Sequence, residues 1–340
     1  MIRKRWAFAL SLLLVPFLSV TSAPAQDSGF YKGKRINIVV GFSSGGGYDT
    51  YARLLARHYS KHIPGNPDVI VQNMPGAASL KSVQHLDAAA PKDGTTITAF
   101  NPGLITQSMT IPDKIRVKFT DVAWLGSIGE DIRVCYTWHA TGIKTWDDLV
   151  KAPQFILGDT GPGSSSYVNQ RMVKDIFGVK VKQVLGYPGS AEKRLAIERG
   201  ELQGDCSSWT SLPEEWIRDG KIYTVLRFGE HVALGLPESV PYGKALLKDE
   251  KMRQVYDVLM APSEIGRPYI VSKAVPAERL ATLRTAFMAT MKDPGFLADA
   301  DKQKLLVSPL DGPTVEKMLT EIYHASPEAI AAAKDISGDI

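Results

Sequence analysis

The sequence predicts an α/β fold with mostly parallel sheets and helices on both faces, and three observations carry that expectation. Short β-branched runs alternate with helical patterns in the order β-α-β-α-β through residue 100. A strand running into a Gly/Ser turn and then a helix is built twice, from residue 36 and again from residue 154. The chain has 340 residues, 44% apolar and 22% charged, enough core for one large domain or two ordinary ones.

The first residues read as a targeting segment. Arg3, Lys4 and Arg5 precede an apolar stretch over 6–20, and Ala23 and Ala25 supply a small-residue cleavage pattern. A signal peptide over 1–26 is expected, and with it a periplasmic location. A membrane anchor fits less well, because the apolar run is short and its exit flank small and polar. Removing the three basic residues takes the net charge from +4 to +1. Nothing in that balance points to nucleic acid. Export would bring Cys135 and Cys206, the two cysteines, into an oxidising compartment, where they either bridge or remain separate buried thiols.

The run 36–40 (Ile-Asn-Ile-Val-Val) suits a central strand, and Tyr51, Leu54, Leu55, Tyr59 and Ile63 then recur at helical spacing. Between them Ser43, Ser44, Gly45 and Gly46 carry little bulk. Such a turn either is a bare tight turn or cradles an anion on backbone N–H groups at the helix start. Asp49, in the first helical turn, either complements the macrodipole or meets a ligand. Strands at 69–73 and 95–100 follow, with Asn101 closing the third at the same sheet edge, where ligands sit in parallel sheets. Further strands are expected at 134–138, 154–157, 179–185, 202–205, 222–228 and 265–271. The second Gly/Ser turn places Thr160, Gly163, Ser164 and Ser165 at a helix start, facing the first across a cleft. Tyr187 and Trp209 adjoin turns at strand ends, as cleft lining or as core. After residue 230 the pattern becomes mainly helical.

Several chemistries are weighed and set aside. Gly41-Phe42-Ser43-Ser44-Gly45 matches the G-x-S-x-G of serine hydrolases, making a secreted hydrolase with Ser43 as nucleophile the competing reading. Against it, the motif lies on the first strand, no oxyanion loop precedes it and no histidine is marked as base. His58 and His62 stand i, i+4 without a third ligand, so no metal is expected. There is no dinucleotide fingerprint and no phosphate loop, so no cofactor is expected.

Taken in order, the segments 39–49 with 52–56, 71–77, 90–95, 160–164 and 186–191 resemble the periplasmic solute receptors of tripartite tricarboxylate transporters, the TctC or Bug-type proteins. The resemblance covers essentially the whole chain after the signal segment. It implies a two-domain clamshell of the periplasmic-binding-protein kind, with 27–122 plus 230–340 as one domain and 123–229 as the other. It implies a monomeric, non-catalytic receptor that closes on a small organic anion, a mono- or dicarboxylate, and hands it to a membrane permease; a sensor partner is the variant of that reading. The binding residues it implies are Phe42, Ser43, Ser44, Gly45, Gly46, Tyr48, Asp49, Asn101, Thr160, Gly163, Ser164, Ser165, Tyr187 and Ser207. The chain departs from the family where Ser43-Ser44 replaces a proline pair, where Pro188 stands at a lysine position, and where Ser207 stands at a frequent acidic position.

Overall fold

The computed structural model describes residues 29–232 and 235–337. The expected signal peptide, 1–26, lies outside the described residues. Eleven strands form two sheets: β1 (Arg35–Val40), β2 (Asp68–Asn73), β3 (Thr96–Ala99), β4 (Val122–Ser127), β5 (Arg133–Trp138), β6 (Phe155–Asp159), β7 (Val181–Leu185), β8 (Gly204–Ser208), β9 (Ile222–Arg227), β10 (Pro268–Ser272) and β11 (Leu310–Asp311). The first sheet has the order β11-β4-β10-β3-β1-β2 and the second β7-β6-β8-β5-β9.

Both sheets are buried on both faces, and the strand sequences show why. In β4, Ala123 and Leu125 join the core on one face while Trp124 joins the core on the other. In β10, Tyr269 and Val271 are divided from Ile270 in the same way. In the second sheet Cys135 points to one core and Val134 and Tyr136 to the other. This is the two-residue alternation of a pleated strand, with apolar side chains on each side.

The sheets are mixed, with most strands of each pointing the same way and β10, β11 and β5 running against them. β1 runs parallel to β2 and β3, and β6 parallel to β7 and β8. β10 is antiparallel to β3 and β4, β11 to β4, and β5 to β8 and β9. The reason is the chain path. Strands made by β-α-β crossovers all end at one sheet edge. β5 and β10 instead enter their sheets at that edge, arriving from the other lobe, so they must run the opposite way.

The sequence puts the change of lobe at residue 123, but β4 still hydrogen-bonds within the first sheet, and the chain crosses between Ser127 and Arg133. The segment after 230 serves both cores. Val255, Tyr256 and Leu259, from the helix Glu250–Ile265, and Ala333 and Ile336, from the helix Pro327–Ser337, pack with the second sheet. Among the described residues no helix is long and apolar enough to cross a membrane.

Cys135 and Cys206 are directly opposed on β5 and β8 and are joined by a disulfide, across a sequence separation of 71. A bridge closing a loop of that length constrains the unfolded chain by about 4 kcal/mol. The double variant Cys135→Ala with Cys206→Ala is expected to fold and to lose stability of that order in urea unfolding. A loss below about 1 kcal/mol would show that the bridge adds little to what β5–β8 pairing already imposes.

Candidate ligand-binding cleft

The two sheets present their strand ends to one another across a narrow cleft of about 40 Å³. The first lobe contributes Phe42 after β1, Gly46, Gly47 and Tyr48 at the start of the helix Gly47–Tyr59, Asn101 after β3, and Arg267 before β10. The second contributes Arg133 at the start of β5 and Thr160, Ser164, Ser165 and Ser166 after β6. Ser190 and Lys193 come from the helix Ser190–Glu198, and Ser207, Ser208 and Ser211 from the end of β8 and beyond. The helices at Gly47 and Ser190 both open without a side-chain cap, so their first N–H groups and dipoles favour negative charge in the cleft.

The lobes touch through contacts that need small residues. A Cβ on Gly47 would lie 2.2 Å from Ser211 Oγ, and one on Gly163, whose φ is +86°, would lie 2.0 Å from Gln107 Oε1. The Asn101 side-chain amide donates to the Gly163 carbonyl at 2.8 Å, and the Ser165 hydroxyl donates to Asn101 Oδ1. Ser43 Oγ donates to Glu192 at 2.8 Å, and Arg194 donates to the Gly45 carbonyl at 2.7 Å. Each of these bonds spans the two lobes.

Of the residues singled out from the sequence, Phe42, Gly46, Tyr48, Asn101, Thr160, Ser164, Ser165 and Ser207 line the cleft. Ser43, Ser44, Gly45, Asp49, Gly163 and Tyr187 are not among its lining residues. The first turn does cradle an anion, but that anion is the chain's own Asp49. Its Oδ2 accepts from Gly45 N–H at 2.9 Å, from Ser44 Oγ at 3.3 Å and from Arg53 Nε at 2.8 Å, while Oδ1 accepts from Asn73 at 2.9 Å. Partial burial works to raise its carboxyl pKa, but Arg53, the Gly45 N–H and Asn73 outweigh it and hold the carboxyl below its usual range. Ser43, the nucleophile of the hydrolase reading, is committed to a carboxylate and not to a histidine base. Gly163 lends its carbonyl to Asn101, and Tyr187 packs on the core containing Ile197 and Trp216. Trp209 is buried in that core, away from the cleft lining.

What the sequence reading missed is charge. Arg133, Lys193 and Arg267 line the cleft, each at most 4% exposed. Asp131 lies between the two arginines, with Arg133 Nη1 at 2.9 Å from one oxygen and Arg267 Nη2 at 3.0 Å from the other. Burial alone would push the Asp131 carboxyl up; Arg267 and Arg133 overcome that and hold it low. Lys193 Nζ is 2.6 Å from Asp205. Asp159, fully buried, accepts from Gly161 N–H and from Ser164, yet burial outweighs Lys193 and Ser164 and raises its carboxyl. Two arginines share one aspartate, so that group carries one uncompensated positive charge. The only local trace of it in the sequence is a pair of charges, Asp131 and Arg133, opening an otherwise apolar strand.

No family model matches the chain. A UPF0065 protein of Agrobacterium vitis is 26% identical over 290 residues, 84% of this chain and 79% of its own length. Among solved structures, the periplasmic binding protein BugD superposes with a TM-score of 0.70 at 18% identity, covering 90% of this chain and 98% of BugD. MatC from Rhodopseudomonas palustris, solved with bound malate, gives 0.70 at 16% identity, covering 89% and 99%. The chain is thus similar in sequence to UPF0065 proteins and has the fold of the TctC- and Bug-type periplasmic binding proteins.

Proposed function

We propose that this protein is an extracytoplasmic solute receptor that captures a small organic carboxylate between its lobes and delivers it to a membrane permease of the tripartite tricarboxylate type. The observation that carries the reading is the cleft itself. It is enclosed by both lobes, met by two uncapped helix starts, and holds two arginines against one shared carboxylate. A buried positive charge without a full partner is costly, and an anion in the cleft offsets that cost. The malate in MatC and the export pattern at residues 1–26 agree with it. Closure is a hinge motion of the lobes, and the ligand stabilises the closed state by contacts to both sides.

A thermal-shift screen of the chain without its first 26 residues, against mono-, di- and tricarboxylates, tests this. An acid present at a hundred times its dissociation constant adds about 2.7 kcal/mol and raises the unfolding midpoint by several degrees. A flat response over the whole panel would remove the receptor reading. Gly163→Val is expected to fold while its side chain wedges against Gln107 and holds the lobes apart. Affinity for the acid found should then drop at least roughly tenfold, and solution scattering should give a larger radius of gyration in the presence of ligand; unchanged binding would place closure elsewhere.

A further inference from the structure

Three polar atoms of cleft-lining residues are buried without a hydrogen bond of good geometry: Arg267 Nε, the Tyr48 hydroxyl, which lies close to the Arg267 guanidinium, and Thr160 Oγ1. A fourth, Asp159 Oδ2, adjoins Thr160 in the chain. Buried polar groups are nearly always paired, so orphans gathered around one cavity point to a ligand that pairs them.

They differ in character. Arg267 is 2% exposed, and its guanidinium lies 4.6 Å over the Tyr48 ring and 5.2 Å over the Tyr51 ring. Its Nη2 is taken by Asp131 and by the Ser208 hydroxyl at 2.5 Å, with the Thr210 hydroxyl at 3.3 Å, which fixes the plane of the group, and its Nε–H is buried without a partner. The other two cleft cations already have partners. Arg133 donates to Asp131 and to the Cys206 carbonyl, and Lys193 meets Asp205 and the Ser166 hydroxyl. Positive charge is therefore unspent only in the Arg267–Asp131–Arg133 group. Around Lys193 stand two aspartates, Asp205 and Asp159, and serine or threonine hydroxyls at 160, 164, 165 and 166, with no spare cation. Asp159 Oδ2 lacks a partner and its carboxyl is raised by burial, so a hydroxyl, which both donates and accepts, can pair with it in either protonation state, whereas a second carboxylate cannot donate to it.

We infer that Arg267 Nε–H and the Tyr48 hydroxyl receive the carboxylate of a compact, singly charged acid whose far end is neutral and carries hydroxyl groups. This rests on the receptor reading and narrows its ligand class. Carboxylate recognition passes from backbone N–H groups to side chains, because the first turn is already occupied by Asp49. The volume of the cleft is that of about three water molecules, which favours acids of three or four carbons.

Isothermal titration of the wild type with lactate, glycerate, malonate, malate and succinate decides it, together with Tyr48→Phe and Arg267→Lys. Glycerate or lactate should bind at least about tenfold more tightly than malonate, malate or succinate. Tyr48→Phe, which keeps the ring under the guanidinium, should weaken that acid about tenfold, and Arg267→Lys about a hundredfold, as for lost hydrogen bonds to a charged group. Tyr48→Phe carries the test even if Arg267→Lys does not fold. A dicarboxylate bound best, or a Tyr48→Phe variant with wild-type affinity, overturns the inference and leaves the receptor standing. No binding of any acid by the wild type overturns both.

Discussion

Asp131 holds two arginines that reach it from different parts of the chain, and the relation of the lobes depends on that interaction. Asp131 lies in the first crossing between the sheets, Arg133 opens β5, and Arg267 lies in the crossing that returns to β10. The two crossings also run side by side through their backbones. Asp131 N–H donates to the Ser263 carbonyl, Arg267 N–H to the Gly129 carbonyl, and Ile128 N–H to the Arg267 carbonyl, all at 2.9–3.1 Å. The ion group thus ties the two crossings together at the edge of the cleft. Removing Asp131 would leave two buried guanidinium groups without their carboxylate, a loss in the range of about 3–5 kcal/mol.

Where local sequence decides structure, the fold was legible. The β-branched run 36–40 became β1, and Val69 to Asn73 fell within β2, because a short apolar run bounded by Gly, Pro and Asn has few other uses in a buried sheet. The repeated strand–turn–helix device does place Gly46 and Tyr48 opposite Thr160 and Ser164. The helix Gly103–Thr110 escaped because seven of its eight residues are buried, leaving no polar face to mark a period. The reversal of β5, β10 and β11 escaped because parallel and antiparallel strands of a doubly covered sheet carry the same apolar pattern, while direction follows from where the chain crosses. The serine and glycine part of the cleft was readable as turns. Arg133, Lys193 and Arg267 were not, since their meeting depends on three-dimensional topology and each looks like an ordinary surface charge in sequence.

The two Gly/Ser turns looked alike and have diverged in use. Each now contains a carboxylate of its own, Asp49 in the first and Asp159 in the second. In the first, Asp49 is satisfied on both oxygens and pinned by Arg53 and Asn73, so the turn is a finished structural unit. In the second, Asp159 keeps one buried oxygen without a partner and burial raises its carboxyl, so the turn is less fully satisfied. The same local motif therefore supplies rigidity to one lobe and an open hydrogen-bonding position to the other.

The bonds between the lobes divide by whether they need a ligand. Asn101 to Gly163, Ser43 to Glu192 and Arg194 to the Gly45 carbonyl form on closure whatever the cleft holds. Each bond of this kind, buried or exposed, contributes about 1 kcal/mol, a modest share of the balance between open and closed forms. In the proposed closure Arg267 leaves water with its Nε–H unpaired, a cost that grows as the cleft dries. An anion at that position removes the cost and adds a charge-assisted bond in a low-dielectric site, so its affinity for the closed form exceeds that for the open form by the sum of both. A neutral solute of the same size would meet the same hydroxyls but leave the penalty in place. Under the proposed function, the residue at the hinge makes closure report on charge before it reports on shape.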